Sequence, residues 1–164
     1  MKKVLLCVIW LLFAAGASAQ ALWQGVPAGA TSAEVQALMP EARVAPGDPL
    51  SKDEGVQLEI PVHELAGARF KVSFVFKADK LQRVTLLANE GSADGARALG
   101  QRLTTLLRSR YGLEMSTKSR GATSSLTIDR QWSFRRTSVH LHVVDETFVR
   151  LDYSGQVPPR TNRL

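Results

Sequence analysis

The sequence has 164 residues and contains a single cysteine, Cys7. One cysteine excludes an intramolecular disulfide framework and a cysteine-rich zinc module. Beyond the N-terminal region, no apolar stretch approaches the roughly eighteen residues that a membrane-spanning helix needs. The chain also has neither a G-x-S-x-G nucleophile motif nor a G-x-G-x-x-G phosphate-binding loop. Because these catalytic signatures are absent, we expect a protein that is not an enzyme and that carries no cofactor.

The first nineteen residues have the order of a secretory signal peptide. Residues 1–3 form a basic start, residues 4–15 are an uncharged apolar run, and small residues precede a cleavage position before Gln20. A helix of about twelve residues rises only about 18 Å, which is short of the ~30 Å hydrocarbon core of a bilayer. We therefore predict that residues 1–19, including Cys7, are removed and that the product is periplasmic or secreted without a transmembrane span.

Charge is distributed unevenly along the predicted mature chain. Residues 20–96 carry a net charge of −3, whereas residues 97–164 carry a net charge of +7. A basic half in an exported protein suggests an anionic partner, such as lipid headgroups, a cell-wall polymer or an acidic protein face. Export separates the protein from most nucleic acid, so we do not expect a nucleic-acid partner. The sequence does not indicate an oligomeric state.

The first half of the chain contains signals for one helix and three strands. Thr31 and Glu34 have the spacing of a capping box, which predicts a helix over residues 32–39. Apolar and polar residues then alternate with a period of two in three segments, which predicts strands. Pairing Phe74 with Val84 places the apolar sets of the second and third strands on one face. The three segments are Val56–Val62, Phe70–Phe76 and Leu81–Leu87.

The second half repeats this order of elements. Ser92 is a suitable N-cap, and leucines at spacings of three and four predict a longer helix over residues 93–111. A three-residue turn at residues 145–147 would pair Val143 with Val149 in a hairpin whose apolar residues share one face. The three predicted strands are Leu126–Phe134, Val139–Val143 and Val149–Tyr153.

The order of elements predicts an α+β fold of two tandem αβββ units. The first unit covers residues 20–91, the second covers residues 92–155, and residues 156–164 form a flexible tail. Corresponding positions such as Val72 and Val139 differ by 67 residues, which indicates a repeat. Each unit alone would bury little apolar surface, so we expect one or two antiparallel sheets with the helices packed on one face. A single α+β domain without a repeat is the alternative.

Two resemblances to exported domains are consistent with this order. Residues 23–35 (WQGVPAGATSAEV) resemble the helix-opening G-[MA]-[ST]-x-x-[EQ]-V signature of the SmpA/OmlA (BamE-like) envelope domains. The doubled helix-plus-sheet order is similar to the β-lactamase inhibitor protein fold. The chain departs from both families, because it lacks the cysteine that anchors the first at the cleavage site and the disulfides of the second. Both families act by binding other proteins, and the resemblance implies the same for this chain.

The His140-x-His142 pair is the strongest candidate for metal binding. Residues i and i+2 of a strand point to the same face, so two imidazoles can reach one metal ion. The hairpin register places His140 opposite Asp152, a third donor, and His142 opposite Arg150, whose charge opposes a dication. His63 would complete the site only if the first strand came near. A small metal-binding protein or a metal-dependent hydrolase using His140, His142 and Asp152 is therefore an alternative function.

Basic side chains concentrate on the predicted outer side of the second sheet, and this surface is the candidate binding site. Arg130 shares its parity with Trp132, so its guanidinium needs a carboxylate partner or must stack on that ring. We expect the protein to bind another protein or an anionic envelope component through this face. An inhibitor or immunity protein against a secreted toxin is a further hypothesis. The candidate binding residues are Arg130, Arg135, Arg136, His140, His142 and Arg150.

Overall fold

A computed structural model describes residues 21–46, 55–115 and 128–155 of the chain. The predicted signal peptide, residues 1–19, and the predicted tail, residues 156–164, lie outside the described residues. The elements are β1 (Ala21–Trp23), β2 (Val26–Pro27), α1 (Ser32–Leu38), β3 (Arg43–Val44), β4 (Val56–Leu65), β5 (Ala68–Lys77), β6 (Lys80–Asn89), α2 (Ala93–Tyr111), β7 (Asp129–Phe134), β8 (Thr137–Val144) and β9 (Phe148–Gly155).

One antiparallel sheet contains seven of these strands, in the order β3-β4-β5-β6-β9-β8-β7, while β1 and β2 form a small sheet of their own. The large sheet consists of two meanders, β4 to β6 and β7 to β9. Their inner strands β6 and β9 pair over seven residues, from Arg83 with Ser154 to Asn89 with Phe148. Because this pairing is continuous, both halves of the chain contribute to one sheet.

The predicted architecture of two tandem αβββ units with helices packed on one face is wrong. The molecule is mainly the seven-stranded antiparallel sheet, and the pairing of β6 with β9 crosses the predicted boundary between the units. α1 has seven residues and buries only Val35, so it is too short to cover a set of three strands. Instead, β1 packs against β6 and β9, and Trp23 contacts Phe74 with ring centroids 6.0 Å apart. Of the two helices among the described residues, only α2, with nineteen residues, is long, and it contacts β7, β8 and β9.

Apolar and polar side chains alternate along the strands, so one face of the sheet is apolar and the other is polar. α2 lies on the apolar face and buries Leu99, Leu103 and Leu107 there. The apolar face contributes buried side chains from four strands: Val72, Phe74, Val84, Leu86, Val139, Leu141, Val149 and Leu151. The side chains of opposite parity form the polar face, which includes Glu59, Lys71, Ser73, Arg83, Thr85, His140, His142, Arg150 and Asp152.

An irregularity in β4 changes which residues of that strand reach the core. The register between β4 and β5 shifts between Ile60 and His63. Ile60 is 3% exposed, whereas Val62, which the sequence placed on the same face, is 59% exposed. His63 takes the inward position and contacts the ring of Trp23 at a centroid distance of 5.2 Å. A β-bulge at Pro61 reverses the parity of the strand, and a proline inside a strand is often found at such a bulge.

Several local predictions are confirmed. α2 has the predicted bounds, with Ser92 as its N-cap. Thr31 and Glu34 form the predicted capping box at α1. The hairpin registers of β5 with β6 and of β8 with β9 are those expected from the apolar alternation. Within the described ranges, no helix is both long and apolar enough to cross a membrane.

Candidate functional site

The structure divides the six predicted binding residues among three places. The β8–β9 hairpin brings three of them together on one face, whereas the other three lie elsewhere, so the six residues do not form a single surface. Three of the six residues lie on the polar face: His140, His142 and Arg150. Of the others, Arg130 lies on the α2 side of β7, and Arg135 and Arg136 lie in the turn between β7 and β8.

Asp152 is the centre of the interactions on the polar face. Its Oδ1 accepts a hydrogen bond from Thr85 Oγ1 at 2.6 Å, and its Oδ2 accepts one from Arg150 Nε at 2.9 Å. Arg83 Nε lies 3.9 Å from Oδ1 and has no hydrogen-bond partner among the described residues. The carboxylate is held from two strands, β6 and β9, and only 13% of the Asp152 side chain is exposed.

His140 and His142 lie beside this carboxylate. Their ring centroids are 4.6 Å apart. One nitrogen of each imidazole and one oxygen of Asp152 all lie within 4.8 Å of one another. His140 Nε2 is 2.7 Å from Asp129 Oδ1, so the imidazole N–H donates a hydrogen bond to that carboxylate. His142 Nδ1 is buried and, within the described part of the chain, has no hydrogen-bond partner. Burial, followed by the neighbouring His140, lowers the pKa of His142, which keeps this imidazole neutral at pH 7.

The charges in the middle of the polar face are compensated within the face. Lys71 Nζ lies 2.8 Å from the Glu59 carboxylate, whose side chain is nearly buried. Arg83 and Arg150 share Asp152. This face was predicted to be the basic binding surface, but its central charges are mixed, so the excess positive charge of the C-terminal half lies elsewhere.

Arg130 has the carboxylate partner that its inward parity requires. Glu114 lies in the segment after α2, and its carboxylate accepts hydrogen bonds from Arg108 Nε at 2.8 Å, from Arg108 Nη2 at 2.5 Å and from Arg130 Nη1. These bonds, chiefly those from Arg108, hold the pKa of Glu114 at about 2. The three side chains attach residues 112–115 to β7, where Met115 N also donates to Gln131 O at 2.8 Å.

A row of alternating guanidinium groups and aromatic rings lies where α2 ends beside the β7–β8 turn. The Arg110 guanidinium lies over the Tyr111 ring, 5.6 Å from its centroid. Tyr111 contacts Phe134 at a centroid distance of 5.9 Å, and the Arg135 guanidinium lies 5.2 Å from the Phe134 centroid. Both arginines are exposed, and Phe134 is 41% exposed. We call Arg110, Tyr111, Phe134 and Arg135 the cation–aromatic cluster.

Two apolar side chains project into solvent next to the cation–aromatic cluster. Leu113 is 82% exposed and Met115 is 69% exposed. Between them, the Glu114 side chain turns inward to Arg108 and Arg130 and is only 10% exposed. Large exposed apolar side chains beside a charged patch are a feature of interaction surfaces. The inward Glu114 side chain thus separates two apolar side chains that face solvent.

Sequence reasoning missed most of this second surface. Arg135 was among the candidate residues, whereas Arg110, Tyr111, Leu113 and Met115 were not. The predicted helix ends at Tyr111, and the sequence predicts no function for Leu113 or Met115. The available signal was the combination of arginine and tyrosine in the last turn of α2 with two large apolar residues directly after it. That pattern does not reveal that the helix end meets the β7–β8 turn.

No family model and no curated protein matches the chain. Among solved structures, the chain is similar to the crystal structure of a DUF4309 family protein (YjgB) from Bacillus subtilis, with 15% sequence identity and a TM-score of 0.43. The likeness covers 83% of this chain and 86% of that chain. At this level of similarity, the function has to be inferred from the side chains themselves.

Proposed function

We propose that this chain is an exported, non-catalytic protein that binds an anionic membrane surface of the cell envelope. The binding surface is the cation–aromatic cluster together with Leu113 and Met115. The observation that carries the proposal is the meeting of exposed guanidinium groups, aromatic rings and projecting apolar side chains at one end of α2. Export is supported by the signal-peptide pattern of residues 1–19, and non-catalytic character by the absence of catalytic motifs in the sequence.

The two arginines of the cluster supply the electrostatic attraction. In the described ranges, neither Arg110 nor Arg135 forms an ion pair with a carboxylate. Each guanidinium is positioned over a ring, which reduces the side-chain freedom lost when it binds a phosphate. A basic residue near an anionic lipid surface contributes about 1 kcal/mol, so the pair contributes about 2 kcal/mol.

The apolar side chains supply the remaining free energy. Burying one large apolar side chain is worth about 1.5–3 kcal/mol, so partial insertion of Leu113 and Met115 contributes about 3 kcal/mol in all. Together with the contribution of the two arginines, the binding free energy is about 5 kcal/mol. This corresponds to a dissociation constant of about 0.2 mM in accessible lipid. We therefore expect reversible peripheral binding rather than permanent anchoring.

A lipid surface suits this combination better than an acidic protein does. The Phe134 ring is apolar and 41% exposed, so it would enter the layer beneath the headgroups, while the half-buried Tyr111 ring supports it from the protein side. Leu113 and Met115 stand on a short segment, and a hydrocarbon layer receives them without a shaped pocket. A protein partner would need pockets matched to each of these side chains.

Vesicle co-sedimentation tests the proposal. We expect the predicted mature chain, Gln20–Leu164, to bind vesicles of phosphatidylcholine containing phosphatidylglycerol, and to bind less at higher salt because exposed charges are screened. The double variant Arg110→Gln/Arg135→Gln should bind about 30-fold more weakly, since it loses about 2 kcal/mol. Leu113→Ser should weaken binding to the same vesicles without changing the salt dependence.

A matched control separates the cluster from general electrostatics. Arg97→Gln/Arg102→Gln removes the same charge from α2, but Arg97 pairs with Asp94 and Arg102 donates to the carbonyl oxygen of Ala66. This control should bind as the unmodified chain does. Equal losses in both double variants would contradict the cluster, and failure to bind phosphatidylglycerol vesicles at low salt would rule out the lipid partner, whether or not the chain binds an acidic protein.

A further inference from the structure

The β8–β9 hairpin assembles a set of metal-ligating side chains that the proposed membrane binding does not use. His140 and His142 project from β8, and Asp152 projects from β9 directly opposite His140. One ligand atom from each of the three lies within 4.8 Å of the others, and all three side chains are half-buried. This spacing allows one ion to be reached by all three atoms with little movement of the strands.

We infer that His140, His142 and Asp152 form a binding site for a divalent transition-metal ion. Two imidazole nitrogens and one carboxylate oxygen are the ligands that Zn²⁺ and Cu²⁺ accept, with at least one coordination position left for water. The site lies on the polar face, away from the cation–aromatic cluster at the end of α2, so the inference is independent of the proposed membrane binding.

A second observation points to a ligand at this place. His142 Nδ1 is buried and, among the described residues, has no hydrogen-bond partner. A buried imidazole nitrogen without a partner is unfavourable and rare in folded proteins. Coordination to a metal ion satisfies its lone pair. Arg83 Nε, on the same face and 3.9 Å from Asp152 Oδ1, is the other buried side-chain atom without a hydrogen-bond partner in this part of the chain.

Neighbouring groups already orient two of the three ligands. The Asp129 carboxylate accepts a hydrogen bond from His140 Nε2–H at 2.7 Å, and in this tautomer of the neutral ring the lone pair lies on Nδ1. A carboxylate in this position behind a histidine ligand fixes its ring orientation and its tautomer. Asp152 is held by Thr85 on one oxygen and by Arg150 on the other, and each carboxylate oxygen retains a second lone pair.

The positive charges of Arg83 and Arg150 oppose the binding of a dication at this site. Both guanidinium groups face the Asp152 carboxylate, at 3.9 Å and 2.9 Å. Removing one positive charge beside the ion should strengthen binding. Arg83 makes no hydrogen bond to Asp152, so Arg83→Gln should raise the affinity for Zn²⁺ roughly threefold or more while leaving the ligands in place.

Titration of the purified protein with Zn²⁺, with ring nitrogen shifts followed by NMR, tests the site without any substitution. The chain has three histidines. One equivalent of Zn²⁺ should shift the ring nitrogens of His140 and His142 and leave those of His63 unchanged. Equal shifts of all three rings, or no shift at one equivalent, would overturn the inference.

Variants then assign the ligands. His142→Gln should weaken Zn²⁺ binding at least 10-fold, and Asp129→Asn should weaken it about 10-fold because the orientation of His140 is lost. His63→Gln is the matched control and should bind as the unmodified protein does, since His63 contacts Trp23 and Gln24 on the other side of the sheet. Circular dichroism confirms that each variant is folded. Unchanged affinity in folded His142→Gln, or weaker affinity in Arg83→Gln, would contradict the site.

Discussion

Glu114→Gln is the most informative single substitution for the surface at the end of α2. The carboxylate accepts three hydrogen bonds from two arginines, and the amide that replaces it carries no charge. The Arg108 side chain is 46% exposed, so water screens its ion pair and this pair adds little to stability. The Arg130 side chain is 28% exposed, and a charged hydrogen bond in such a setting is worth about 1.5–3 kcal/mol. We expect the free energy of unfolding at pH 7 to fall by about 2–3 kcal/mol.

The decrease in the free energy of unfolding caused by Glu114→Gln should depend on pH. The pKa of Glu114 lies at about 2 in the folded chain, below its ordinary value of 4.5. A depressed folded pKa means that the stabilisation is complete above pH 4.5 and is lost as the pH falls towards 2. The difference between the two proteins should therefore shrink steadily over this range.

Urea unfolding followed by tryptophan fluorescence, at a series of pH values from 7 to 2, measures both effects. Glu41→Gln is a control, because Glu41 is an exposed carboxylate two residues before β3, the strand at the opposite edge of the sheet from β7, and should change stability by less than about 0.5 kcal/mol. The same stability for Glu114→Gln and the unmodified chain at pH 7 would refute the role of the ion pairs. A difference that stays constant down to pH 2 would refute the assignment of the pKa.

Two further predictions concern the fold. Thr31→Ala removes the hydroxyl that accepts from Glu34 N, and thermal unfolding should show a loss of about 1 kcal/mol, whereas an unchanged melting temperature would contradict the capping box. Ile60→Ala should lower the free energy of unfolding by about 2–5 kcal/mol, but Val62→Ala should change it by less than about 0.5 kcal/mol, because the bulge turns Val62 to solvent. Similar losses in both variants would contradict the bulge.

The local parts of the fold could be predicted because their signals lie within a few residues of one another. The turns that follow Phe76 and Val144 connect strands whose apolar alternation permits one register, and both registers are confirmed. No local sequence signal identifies the pairing of β6 with β9, because either edge strand of one meander could pair with either edge strand of the other. The sequence left open one sheet or two, and this non-local pairing makes one seven-stranded sheet. The prediction of helix-covered units failed because α1 is too short to cover three strands. β1, β2 and β3 have two or three residues each, too few for a period to be recognised.

In the candidate sites too, only the contacts between residues of one tight hairpin could be predicted from the sequence. His140 and Asp152 were placed opposite each other because one tight hairpin connects them, and the structure has that pair. Arg130 was expected to need a carboxylate, but Glu114 lies sixteen residues earlier in a segment without periodicity, so its identity could not be inferred. The cation–aromatic cluster depends on contact between a helix end and a turn, and such contacts follow from packing rather than from the sequence of either part.

The separation of the two proposed sites makes each of them testable by itself. The metal ligands lie on the polar face at the middle of β8 and β9, whereas the cation–aromatic cluster lies at the end of α2 and at the β7–β8 turn. Substitutions that share no partner and lie far apart act independently. His142→Gln should therefore leave vesicle binding unchanged, and Arg110→Gln/Arg135→Gln should leave Zn²⁺ binding unchanged. If either variant altered both activities, the sheet would have to transmit the change across β8, and the two surfaces would then be parts of one site.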